Sequence, residues 1–224
     1  MTFKHTFQKH IFSETFIYIF IASVTMVLCN SVFENLIKYN GFSDGLRISY
    51  KLFSFCIVMI IGAVLKTYVF YWIGQKEKII NFANYFEFLK KNFSDWMITE
   101  VRVQFRVLIG LLLFIIPGVL EALRLSLASV FVFYSPKMSD PTYDPVLSSR
   151  EVLNLKNYEP LYILFTLSAL NLAVSMLLAN ANFFDGPVGF LKASLSSFSN
   201  AVFIMATYSY LVHLYLTTTS KEET

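Results

Sequence analysis

Residues 110–135 read GLLLFIIPGVLEALRLSLASVFVFYS, an apolar run cut by Pro117 and Gly118 and followed within two turns by Glu121 and Arg124. Such a run cannot sit in water and its charges are costly in lipid. It therefore places the chain in a bilayer and marks where polar work is feasible. Proline removes a backbone donor and glycine loosens the chain, so a break or sharp kink is expected at Pro117 and Gly118. Two readings compete. Residues 96–134 form either one long kinked span or two short helices folded into a hairpin.

The rest of the sequence agrees with a membrane setting. Of 224 residues, 56% are hydrophobic, 17% aromatic and only 15% charged, with a mean hydropathy of +0.57. A soluble domain carries about 25% charged residues, so this chain cannot clothe a globular surface of its size. The net charge of +3 is too small to argue for nucleic acid as a partner. Cys29 and Cys56 lie in apolar runs and no Cys/His spacing suits a metal, so neither a disulfide framework, a metal site nor a cofactor is expected.

The expected architecture is a single all-α, polytopic domain over residues 1–224 with about six transmembrane segments. A retained first span covers residues 13–33, and a second covers 52–73 and carries Lys66. The hairpin arms are 96–116 and 119–134, and two further spans cover 161–178 and 198–216. Two interfacial amphipathic helices are expected between spans. In the first, residues 76–95, Lys76, Lys78, Lys90 and Lys91 alternate with Ile79, Phe82, Phe86, Leu89 and Phe93 at helical spacing, with Ser94 and Asp95 as caps for the next helix. The second, residues 145–156, opens on Asp144-Pro145, a capping carboxylate before a proline. Its Val146, Leu147, Val152, Leu153 and Leu155 are expected to meet the membrane surface. Tyr71, Trp72, Trp96, Tyr134 and Tyr158 read as interfacial anchors.

Charge asymmetry favours the hairpin. With a turn near Pro117, Lys4, Lys9, Lys76, Lys78, Lys90, Lys91, Arg102, Arg106, Lys137, Arg150, Lys156 and Lys221 share one side, leaving Lys38, Arg47, Lys51 and Lys192 opposite. A single kinked span nearly abolishes that bias. Lys/Arg asymmetry sets orientation, so six segments with both termini cytoplasmic is the expected topology.

The order of motifs resembles a known family. An apolar run ends in Ile115-Ile116-Pro117-Gly118 and is followed by Leu120-Glu121-Ala122-Leu123-Arg124; after a loop come Ser149-Arg150-Glu151-Val152-Leu153 and a new span. This is similar to the membrane domain carried by some bacterial glycerophosphoryl diester phosphodiesterases and by stand-alone bacterial inner-membrane relatives. The matching part is residues 108–164. The resemblance implies a six-span helical fold in the bacterial inner (cytoplasmic) membrane. It implies no enzyme, because the catalytic barrel of those phosphodiesterases is a separate soluble domain with no counterpart here.

Candidate site residues follow from the intramembrane charges. Glu121 and Arg124, three apart on one helix face, form an expected ion pair that lines a polar cavity or, more plainly, locks the hairpin. Lys66 reaches Glu121 or snorkels to a headgroup. Asn171 and Ser168, with Tyr208 and His213, offer a polar track or ordinary interhelical hydrogen bonds. No paired carboxylates, His cluster or nucleophile constellation supports catalysis. A non-enzymatic role in transport or membrane homeostasis is expected, with membrane lipids as partners. An accessory subunit docked on another membrane protein is the alternative.

Overall fold

The computed structural model describes residues 14–39, 44–154, 158–178 and 184–222. Lys4, Lys9, Ser13, Leu155, Lys156 and both chain termini, which figure in the expectations above, lie outside the described residues. The described residues are helical with no strand: α1 (Glu14–Tyr39), α2 (Asp44–Lys76), α3 (Tyr85–Leu113), α4 (Ile115–Arg124), α5 (Ala128–Tyr134), a 3-10 turn (Pro136–Ser139), α6 (Pro145–Val152), α7 (Tyr158–Leu177) and α8 (Gly186–Glu222). Five stretches among them are long and apolar enough to cross a membrane: Thr15–Lys38, Ile48–Lys76, Ile115–Tyr134, Tyr158–Leu177 and Gly186–Thr219. The protein is an all-helical, multi-pass membrane protein.

The helices form two compact units, one from residues 14–69 and 169–206, the other from 70–168 and 207–222. In the first unit, small polar groups tie apolar helices together. Ser54 Oγ donates to Asn30 Oδ1 at 2.7 Å, and Asn200 Nδ2 donates to Ser23 Oγ at 2.8 Å. Phe198 meets Phe16 and Phe20 edge-on. Ile17, Ile21, Ile60, Val64 and Leu195 are exposed, as expected of helices apolar all round that face hydrocarbon.

The second unit begins where α2 stops. Lys78 adopts a left-handed conformation, φ 58°. The Lys78 N–H donates to the Gln75 carbonyl and the Ile79 N–H to the Gly74 carbonyl, the two bonds of a Schellman C-cap. Glycine usually fills that position, since a left-handed residue with a Cβ costs about 1–2 kcal/mol. Gln75 Nε2 then holds the Phe82 carbonyl at 2.6 Å, folding residues 77–84 back on the helix end. The next helix starts at a variant of the capping box, in which the N3 glutamate reaches the residue before the cap. Asn84 Oδ1 accepts from the Glu87 N–H at 2.9 Å, while Glu87 Oε2 accepts from the Ala83 N–H.

Residues 76–95 are therefore no separate amphipathic helix. They comprise the last residue of α2, a capped loop, and the opening turns of an α3 that runs unbroken through Ser94 and Asp95. Those two residues cap no helix end, because the capping chemistry sits seven to eleven residues earlier, at Asn84 and Glu87.

The hairpin is present, and its turn is at Phe114, three residues before Pro117. Phe114 is extended, φ −160° and ψ 147°, between α3 and α4. The physical reason is proline's reach backwards: its ring clashes with the carbonyl four residues earlier, here Leu113, so α3 ends there. Pro117 itself sits in the first turn of α4, where its missing N–H has no helical partner to lose. Gly118 then donates to the Phe114 carbonyl at 3.3 Å. A Cβ on Gly110 would lie 2.8 Å from the Gly118 Cα, and one on Gly118 would lie 2.6 Å from the Leu111 nitrogen. Only two glycines let the backbones meet this closely.

From that contact the pairing descends in antiparallel register. Val103 packs on Leu125 and Ala128, Ser129 Oγ donates to Glu100, and the Trp96 and Phe133 rings stack with centroids 6.2 Å apart. Helix α5 is buried along its whole length. Phe133 also meets Phe88 at 5.0 Å and Phe70 at 5.7 Å. Tyr134 donates to the Phe70 carbonyl, and Tyr215 donates to the Tyr134 carbonyl at 2.9 Å. Trp96 and Tyr134, 5% and 6% exposed, are core residues of this unit rather than lipid anchors.

Candidate functional site

The charges of the hairpin gather where α6 meets its base. Glu121, 13% exposed, contacts Arg150 directly, whereas its nearest Arg124 nitrogen is 3.9 Å away. The expected partner is thus the secondary one. An i,i+3 pair on one helix reaches only sideways, while α6 delivers Arg150 face-on. Ser149 Oγ donates to the Arg124 carbonyl at 2.7 Å, satisfying an orphan acceptor at the end of α4. Beside this contact Arg102 Nη2 binds Asp144 Oδ2 at 2.6 Å, and Asp144 Oδ1 accepts from the Val146 N–H at 2.9 Å.

Asp144 therefore caps α6 and binds α3 at once. Partial burial pushes its carboxyl pKa up, but the Arg102 guanidinium and the Val146 and Leu147 N–H groups outweigh it, so the value falls below the ordinary 3.8. Three arginine nitrogens in this belt, Arg106 Nη1, Arg124 Nε and Arg150 Nε, are buried with no acceptor among the described residues. Beyond the belt the hairpin tip is apolar and open: Leu112, Leu113, Phe114, Ile115 and Ile116 are each at least 66% exposed.

Helix α6 has two working faces. Val146, Ser149, Arg150 and Leu153 turn to the hairpin, with Val146 and Leu153 fully buried. For Val146 and Leu153 this differs from the expected membrane-surface contact, because both are buried, Val146 against Leu125; Leu147 is 50% exposed. The opposite positions, Ser148, Glu151 and Val152, wall a cavity of 640 Å³. Its other walls are Glu77, Lys78 and Ile79 after α2; Phe131, Ser135, Pro136 and Lys137 after the hairpin; Tyr143; and Tyr215, Leu216, Thr218 and Thr219 near the end of α8.

The remaining candidates are dispersed. Lys66 and Asn171 belong to the other compact unit and Glu121 to this one; both are half-buried. Ser168 is exposed and His213 half-buried. Tyr208 packs its ring on Phe70 at 5.0 Å. Of the four lysines, Lys76 lies over the Trp72 ring at 4.4 Å and Lys91 over Phe82 at 5.3 Å; Lys78 is in the helix cap and Lys90 on the exposed side of α3. Among the described residues no three His, Cys, Asp or Glu side chains gather where a metal ion would bind.

Sequence reasoning missed Arg150 as the partner of Glu121, and it missed the cavity. The spacing of Ser148 and Glu151 was a signal for the second, two polar positions opposite the apolar Val146 and Leu153. No protein-family model matches the chain, and no curated protein or solved structure shows significant similarity to it.

Proposed function

We propose that the protein is a non-enzymatic bacterial inner-membrane protein that acts on lipid through a hairpin entering and leaving the bilayer from the cytoplasmic side. The observation carrying this reading is the exposed apolar tip around Phe114 ending in a belt of arginines, of which Arg102, Arg124 and Arg150 keep part of their side chains exposed. Charged groups are costly at the bilayer centre and favourable at its anionic surface. Arg102, Arg106, Arg124 and Arg150 accordingly sit at headgroup level, where the exposed parts of Arg102, Arg124 and Arg150 meet lipid phosphate. Residues 107–120 dip into the acyl region. Seven residues per arm reach about 10 Å, less than the roughly 30 Å of the hydrocarbon core. The hairpin in this reading is a re-entrant pair, and α1, α2, α7 and α8 are the full spans.

Convergence of chain ends on one cavity supports the return. Lys78 after α2, Lys137 after α5 and Thr219 of α8 all line it, so these ends share one face. Both termini then lie on that face, which the Lys/Arg asymmetry makes cytoplasmic. The motif order also resembles the membrane domain of bacterial glycerophosphoryl diester phosphodiesterases, which fits the same location.

The test is depth. A Leu112→Trp variant in a Trp72→Phe, Trp96→Phe background, reconstituted in vesicles, is read with lipids brominated at shallow or deep acyl positions. The reading expects quenching by the shallow label, stronger than by the deep one. Emission at the water value without quenching overturns it. Purification from native membranes with a stoichiometric protein partner covering the tip would instead establish the accessory-subunit role.

A further inference from the structure

The cavity behind α6 is a second site, distinct from the hairpin tip, and its chemistry is of another kind. Its rim carries two ammonium groups, Lys78 and Lys137, and two carboxylates, Glu77 and Glu151. Among the described residues no ion pair holds Lys78 or Glu151, and both side chains are exposed. A ligand of one sign would bring each like-charged group against it. A ligand carrying both signs meets each with its opposite. The inner wall is apolar, from Phe131, Val152 and Leu216. At 640 Å³ the space is in the range of small-molecule sites, about 300–1,000 Å³, and too large for a bare ion.

The position of Lys78 strengthens the case. It occupies the left-handed cap position at φ 58°, where glycine fits at less cost. A lysine there sets an ammonium at the cavity wall at some expense to the backbone, and strained residues of this sort cluster at ligand sites.

We propose that this cavity binds a zwitterionic amphiphile, a phosphate–ammonium head with an apolar tail. The phosphate meets Lys78 and Lys137, the ammonium meets Glu151, and the tail lies on Phe131, Val152 and Leu216. The head group chemistry is shared by a membrane phospholipid and a water-soluble phosphoethanolamine, and the experiment separates them.

Purified full-length protein in detergent is titrated by calorimetry with short-chain phosphatidylethanolamine, short-chain phosphatidylglycerol and free phosphoethanolamine. The proposal expects phosphatidylethanolamine to bind about tenfold or more tighter than phosphatidylglycerol, the contribution of one charge-assisted contact. Glu151→Gln should erase that preference. Lys78→Gly, which relieves the backbone and so spares folding, should weaken both lipids by a similar factor. Free phosphoethanolamine binding as well as the lipid would mark a soluble ligand, and binding much more weakly would mark the lipid. Equal binding of the two lipids, or Glu151→Gln and Lys78→Gly variants that bind as wild type does, would overturn the site. Neither result touches the depth of Leu112, so the hairpin reading stands or falls separately.

Discussion

Glu121 holds two arginines with one carboxylate, and the balance between them is uneven. Arg150 touches it and Arg124 stands 3.9 Å off. Removing the carboxylate leaves a partly buried guanidinium without its acceptor, a loss of about 1–3 kcal/mol before discounting for solvent at the half-exposed arginines. Glu121→Gln should lower the thermal unfolding midpoint in detergent, and Arg150→Ala should lower it more than Arg124→Ala. Equal effects of the two arginine variants would return the pair to the i,i+3 geometry read from sequence. Asp144 adds a pH dependence. Its folded-state pKa lies below the unfolded 3.8, so its stabilisation is present above that value and fades as pH drops through the lowered one. Thermal unfolding followed from pH 6 downward should show a destabilising step on the acid side that is absent in Asp144→Asn. That variant keeps an N-cap oxygen but has no titrating carboxylate.

At the scale of elements, the hairpin was legible as a hairpin and its hinge was misplaced. Pro117 and Gly118 signal a break, but proline acts on the carbonyl four residues back, so the chain opens at Phe114 and the return begins at Ile115. The glycines act through space rather than through flexibility, since Gly110 and Gly118 make the arms touch. Gly118→Ala should therefore cost more than Pro117→Ala. The first drives a methyl against the Leu111 backbone, about 1–3 kcal/mol of overpacking. The second merely restores a donor that first-turn positions leave unused. Comparing the two midpoints checks it. Asp144-Pro145 was read correctly as a helix start because the cap is local in sequence. In the basic segment of residues 76–95, residues 85–95 are helical as the periodicity indicates, though as the start of α3, while Gln75 to Phe82 and Glu87 to Ala83 hold residues 77–84 in a loop. Periodicity records apolar spacing and is blind to side chains that cap a backbone. Arg150 was beyond reach for a different reason: its distance from Glu121 in the chain is closed only by tertiary packing.

For the whole molecule, composition was enough to place the protein in a membrane, and five apolar helices agree with it. Composition cannot say which way a broken helix goes. That is carried by the descending contacts from Gly110–Gly118 to Trp96–Phe133 and by the cavity that Lys78, Lys137 and Glu151 share. Sidedness therefore tests everything else. In a Cys29→Ser, Cys56→Ser background, single cysteines at Lys78 and at Arg150 are exposed to a membrane-impermeant maleimide in intact cells and in inverted vesicles. Labelling of both positions in inverted vesicles only is the predicted result. Labelling of the two positions from opposite faces would contradict the return of the chain at Phe114.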